Sequence, residues 1–192
     1  MSNAPQNEHE KRDDLHEDVY YPEHSPRTES AEFVKTKAAG HAANTPCAIS
    51  GRRDAVEYHH FFLEWAFSDA VDWALVKQIA LEQVTELPVL DPITDLPTAD
   101  TYPVKDSLIW SICKLAEMRG MHWEDFDPAK PEMFVDSMAN MLVLDMKFHR
   151  SATHGIHMMT FPEWIFHAWP RKGGFAFTPD EVTNGLATAI NP

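Results

Sequence analysis

Two helical patterns flank a stretch that no helix can cross. Residues 87–103, LPVLDPITDLPTADTYP, carry Pro88, Pro92, Pro97 and Pro103. A proline inside a helix removes a backbone donor and clashes with the preceding turn, so this segment is predicted to be a loop. Before it, SDAVDWALVKQIALEQV (residues 68–84) repeats Val71, Leu75 and Ile79, with Ala74, Leu81 and Val84, at helical spacing. Ser68 is the candidate N-cap, with Asp69 behind it. After it, VKDSLIWSICKLAEMRGM (residues 104–121) predicts a second helix on Leu108, Ile109, Ile112, Leu115 and Ala116, stopping near Gly120. KPEMFVDSMA predicts a third, shorter helix with Pro131 in its first turn.

The strand signals are short. CAIS and AVEYHH are β-prone runs joined by GRRD, which predicts a small hairpin. MLVL, residues 141–144, reads as a buried strand, DMKF as a turn, and HRSATH as the start of a helical turn. Thr160 to Glu163 and Thr178 to Glu181 match capping boxes, predicting two further helices toward the C-terminus. Residues 1–40 hold few large apolar groups and read as an acidic flexible tail. The expectation is an α+β chain, mostly helical, with one domain over residues 41–192 and a helical region at about 66–138.

Charge and cysteine usage narrow the function classes. The net charge of −14 opposes casual binding to a polyanion, because phosphate contacts need Lys and Arg. It suits a protein that binds a basic partner through its acidic tail, or one that imitates DNA. No apolar run approaches the length of a membrane span, and the polar start predicts no export. Two cysteines, Cys47 and Cys113, form no CxxC pair, which fits a reducing cytoplasm.

The residues most able to do chemistry are histidines in two distant places. YHHFF carries His59 and His60; NMLVLDMKFHRSATHGIH carries His149, His154 and His157. Positions four apart on a helix share a face, so His149 and one later histidine can reach one ion. Successive strand residues point to opposite faces, so His59 and His60 divide their tasks: one suits a ligand, its neighbour a base. Two adjacent histidines are also what a strand with one buried and one exposed face produces. An all-imidazole set favours Zn²⁺, Ni²⁺ or Mn²⁺ over Mg²⁺.

These two pieces resemble the two halves of the HNH, or ββα-metal, nuclease motif. In that family a strand ends in a ligand followed directly by the catalytic histidine, as in YHHFF. An asparagine then opens the second strand, nine residues before a histidine of the metal-bearing helix, as Asn140 stands to His149. The resemblance implies a small ββα-metal core, a hairpin plus a helix. It implies His59 and His149 as metal ligands, His60 as general base and Asn140 as orienting residue. His154 or His157 would be the third ligand of one divalent ion (Zn, Ni, Mn or Mg). The implied activity is hydrolysis of DNA, by a small stand-alone module of the kind common in bacteriophages.

The chain departs from the family in three ways, the first being that the step from His149 to His154 or His157 is longer than is usual for the last ligand. About eighty residues separate His60 from Asn140, far more than is usual, which reads as an inserted subdomain. Where many members carry two CxxC pairs, this chain has Cys47 with Ser50, and Asp145 with Phe148, so a structural zinc is not expected. Glu57 and Glu64 flank the histidine pair and either could orient a ring, with solvent exposure the simpler reading. Arg52, Arg53, Arg150, Arg171 and Lys172 are candidates for phosphate contact or plain solvated charges. Trp110, Trp123, Trp164 and Trp169 read as core or subdomain interface rather than base-stacking platforms, and Cys113 as a small buried hydrophobe. The alternative function is an acidic interaction protein, an inhibitor or DNA mimic, on an HNH-like scaffold.

Overall fold

A computed structural model describes residues 28–94, 96–161 and 164. In chain order its elements are α1 (Ala31–Ala42), β1 (Val56–His60), α2 (Trp73–Ala80), β2 (Glu86–Leu90), β3 (Pro97–Pro103), α3 (Leu108–Met118), α4 (Glu132–Val135), β4 (Met141–Asp145) and α5 (Met146–Arg150). Short 3₁₀ segments cover Trp65–Ala70 and Val104–Asp106. The fold is α+β, but helix takes up well under half of the described residues, so it is not mostly helical. No described helix is long and apolar enough to cross a membrane. Contacts divide the chain into two compact units. Among the described residues one holds 45–59, 143–161 and 164, and the other holds 28–44 and 60–142.

The larger unit, 28–44 with 60–142, begins with a helix where a tail was expected. The Ser30 Oγ accepts Phe33 N at 2.9 Å and caps α1. The buried face of α1 is Phe33, Thr36 and Gly40, with one large apolar side chain, so its periodicity is faint in the sequence. Residues 1–27 of the expected tail lie outside the described residues.

The helix expected from Ser68 starts later. Val71 is extended, and Asp72 caps α2 by accepting Leu75 N at 3.0 Å. Trp73 turns inward, and its indole N–H donates to the Ser68 carbonyl at 2.9 Å. Seating that large ring breaks the regular run at the point where the sequence pattern looks continuous.

The proline-rich loop is an antiparallel hairpin, β2 against β3, with Leu87 opposite Tyr102 and Pro88 opposite Thr101. In a two-stranded sheet both strands are edges, and an outward-facing proline nitrogen there breaks no ladder bond. The Asp91 Oδ1 shapes the connecting turn by accepting Ile93 N and Thr94 N. Ser107 caps α3, and Gly120 follows its end at φ +94°, near where the sequence placed the stop. Pro131 stands at the N-cap of α4. The expected helical region at about 66–138 thus holds a β-hairpin where a loop was expected between its helices.

The core of this unit packs Trp73, Val76 and Ile79 of α2 against Cys113 and Ala116 of α3, with Trp123, Phe126 and Phe134. Trp123 meets Phe126 edge-on at 5.4 Å between ring centres, and its indole donates to the Cys113 carbonyl. Burial pushes the Cys113 thiol up to about 11, so it stays protonated and packs as a small apolar group.

In the smaller unit the expected CAIS–AVEYHH hairpin is absent. Residues 47–52 close into a tight loop, with Cys47 N on the Arg52 carbonyl at 2.7 Å and Gly51 at φ +71°. β1 pairs instead with β4, and α5 follows β4 directly. The expected turn DMKF is the start of α5, because Asp145 caps it by accepting Lys147 N and Phe148 N at 3.0 and 3.2 Å. Trp164 is buried, and its indole donates to the Phe148 carbonyl. The helices expected after Thr160 and Thr178 fall almost wholly outside the described residues, as do Trp169, Arg171 and Lys172.

Candidate metal centre

The smaller unit brings three imidazoles together. His59 of β1, His149 of α5 and His157 beyond it offer ligand atoms all within 4.8 Å of one another. The His149 and His157 Nε2 atoms are 3.1 Å apart. Two nitrogens about 2.0–2.1 Å from a tetrahedral zinc lie roughly 3.3 Å from each other, so this pair is already at ligand spacing. His59 meets the His157 ring edge-on at 4.7 Å and the His149 ring at 5.3 Å.

A carboxylate sets the His149 ring. Glu57 lies two residues before His59 on β1, so both side chains leave the same face of the strand. The Glu57 Oε2 sits 2.6 Å from the His149 Nδ1, and its other oxygen pairs with Arg150. A carboxylate only accepts, so Nδ1 carries a proton, which leaves Nε2, on the side of His157, as the atom that can meet a metal ion. Glu57 is half-buried, and the simpler reading of it as a solvated charge does not describe it. The donor set would suit one divalent ion: three imidazoles that could hold it, with one carboxylate behind His149.

Of the two histidines the sequence left open as third ligand, His157 stands in the cluster. His154 is 1% exposed, with Nδ1 at 2.8 Å from the Thr153 hydroxyl and its ring edge-on to Phe148. Gly155 separates the two for a steric reason. A Cβ there would fall 2.6 Å from the Ser151 carbonyl oxygen, a backbone atom that cannot swing away. Gly155→Ala should therefore displace His157. We expect Zn²⁺ affinity, measured by competition with a chromophoric chelator, to fall roughly tenfold, the scale of lost supporting contacts. Overpacking should also cost about 1–3 kcal/mol of stability.

The larger unit holds the other two residues singled out from the sequence. His60 is 5% exposed and stacked on Phe33 at 5.7 Å. Its Nε2 is 3.0 Å from the Asp136 Oδ1, and its Nδ1 is 3.6 Å from the Glu64 carboxylate. The other Asp136 oxygen accepts the Ser30 hydroxyl at 2.6 Å. Asp136, Ser30 and Phe33 escaped the sequence reading, because pairs 76 and 106 residues apart leave no local signal.

Asn140 is fully buried and spends its whole amide on backbone. Its Oδ1 accepts Phe62 N and Leu63 N at 2.8 and 3.2 Å. Its Nδ2 donates to the Leu63 and Val135 carbonyls at 2.9 and 2.8 Å. It thereby pins the chain just after His60. Arg119 holds the segment that carries Asn140, donating to the Met138, Ala139 and Met141 carbonyls.

No family model, curated protein or solved structure matches this chain.

Proposed function

We propose that this chain is a metal-dependent endonuclease of HNH type, hydrolysing DNA phosphodiester bonds. The supporting observation is the convergence of His59, His149 and His157, with Glu57 orienting His149. A divalent cation (Zn, Ni, Mn or Mg) held there supplies positive charge to the phosphate oxygens and the leaving oxygen. His60, the next residue along β1 from His59, accepts the proton of the attacking water. Asp136 at 3.0 Å steadies the imidazolium that results, as the aspartate of a catalytic triad does for its histidine. Asn140 keeps the backbone after His60 in place. The exposed Arg53 and Arg150 are the candidate phosphate contacts.

A second reading is an acidic interaction protein, an inhibitor or DNA mimic on such a scaffold. The net charge of −14 favours it, as do Leu90, Ile93 and Leu96, exposed on and around the β2–β3 hairpin. Plasmid nicking separates the two. With Mn²⁺, Ni²⁺ or Mg²⁺ the protein should relax supercoiled DNA, and His60→Ala should slow this by about 10²–10⁴-fold while metal binding persists. Undiminished cleavage by His60→Ala removes it as the base. A wild-type protein that binds metal yet cuts no DNA favours the interaction reading.

A further inference from the structure

We infer that Asp145 is a positioning residue for the imidazole cluster, tying the chain that enters β1 to the start of α5. The inference rests on the reading of His59, His149 and His157 as metal ligands.

Asp145 is 4% exposed, and both its oxygens are in use. Oδ1 accepts Lys147 N and Phe148 N, which fixes the first turn of α5. Oδ2 accepts the Ser50 hydroxyl at 2.5 Å and the Arg52 Nε and Nη2 at 3.0 and 2.7 Å. Five donors on one carboxylate saturate its acceptor sites. Burial alone would raise its pKa, but the Ser50 and Arg52 contacts outweigh that and hold it below the ordinary aspartate value.

The far end of this tie is itself rigid. Gly51 N donates to the Cys47 carbonyl at 3.0 Å, and Ser50 N approaches the Cys47 Sγ at 3.4 Å. Cys47 is buried, and Ala48 N donates to the Val143 carbonyl at 2.8 Å. Glu57 and His59 follow within a few residues of Arg52, and His149 comes one helical turn after Asp145. One carboxylate thus locates the origin of both ligand-bearing segments. A ligand set tolerates little slack: a shift of a few tenths of an ångström takes nitrogens out of the 2.0–2.1 Å range zinc requires.

The test uses the full chain with Co²⁺ as a spectroscopic probe and Zn²⁺ in competition. Asp145→Asn keeps an acceptor for the helix cap but cannot hold Arg52 as an ion pair. Arg52→Ala and Ser50→Ala cut the tie from its exposed side and leave the cap untouched. In variants whose circular dichroism matches wild type, Zn²⁺ affinity should fall about 10–100-fold for Asp145→Asn. It should fall roughly 2- to 10-fold for Ser50→Ala or Arg52→Ala. The Co²⁺ visible bands should broaden and weaken, a change that loss of global stability alone does not produce. If Asp145→Asn fails to fold, the two loop variants carry the test. Folded variants with wild-type affinity and wild-type Co²⁺ spectra overturn the positioning role while leaving the ligands in place. A wild-type protein that gives no Co²⁺ spectrum overturns the ligand reading itself.

Discussion

His149→Ala should lose metal binding almost completely. The ring belongs to the candidate site on two sides: its Nε2 is 3.1 Å from His157, its centre is 5.3 Å from that of His59, and its Nδ1 is held by Glu57. Removing a carboxylate behind a ligand costs about 10–100-fold in affinity, so removing the ligand itself should cost more than roughly 100-fold. Isothermal titration with Zn²⁺ or Ni²⁺ measures this directly. The control is His154→Ala: that side chain packs on Phe148 and the Thr153 hydroxyl, outside the cluster. Its loss should lower stability and leave metal stoichiometry at one. Equal loss of binding in both variants would mean that folding, rather than ligation, is being read. Unchanged binding in His149→Ala would falsify the assignment of the centre.

Asn140→Ala should produce the largest fall in stability. The side chain is fully buried and makes four hydrogen bonds to backbone groups of Phe62, Leu63 and Val135. Alanine leaves two N–H groups and two carbonyl contacts without that partner, at about 1–3 kcal/mol for each group left unsatisfied. Relaxation and water entry reduce the sum, so a net loss on the order of 3–5 kcal/mol is expected. For a chain of this size that lowers Tm by roughly 6–20 °C. Differential scanning calorimetry without added metal gives the number. Asn140→Asp is the sharper comparison, since a carboxylate keeps the two acceptor bonds and loses both donors. A shift under about 2 °C for Asn140→Ala would show that the 62–63 backbone is held by other means.

How far the sequence could be read depended on the range of the interactions involved. The stop of α3 near Gly120 was legible because the signal is contained within a few residues: a glycine at φ +94° after an apolar periodic run. The strand at 141–145 was legible for the same reason, as a short apolar run. The hairpin of β2 and β3 was not, because prolines forbid a helix without saying that two exposed edges will pair. The late start of α2 was not, because the cause is the seating of Trp73 rather than any break in periodicity.

The candidate site divides along the same line. The histidines themselves, their order and the nine-residue step from Asn140 to His149 are properties of the chain. Which of His154 and His157 turns toward His149 depends on Gly155 letting the backbone pass close to Ser151. That Glu57 rather than solvent faces the His149 Nδ1 depends on β1 lying beside the segment that carries α5.

By itself, then, the order of residues determined which groups were available, where α3 would stop, and that two histidine-bearing segments existed. Only the tertiary structure decided that β1 pairs with β4, that His59, His149 and His157 share a point, and that Asp136 lies against His60. The physical reason is reach. Caps, turns and helical periodicity act over a few residues, whereas a site is made by contacts between segments some eighty to ninety residues apart. Those contacts form only when burial of the surrounding apolar surface outweighs the entropy of closing the chain between them.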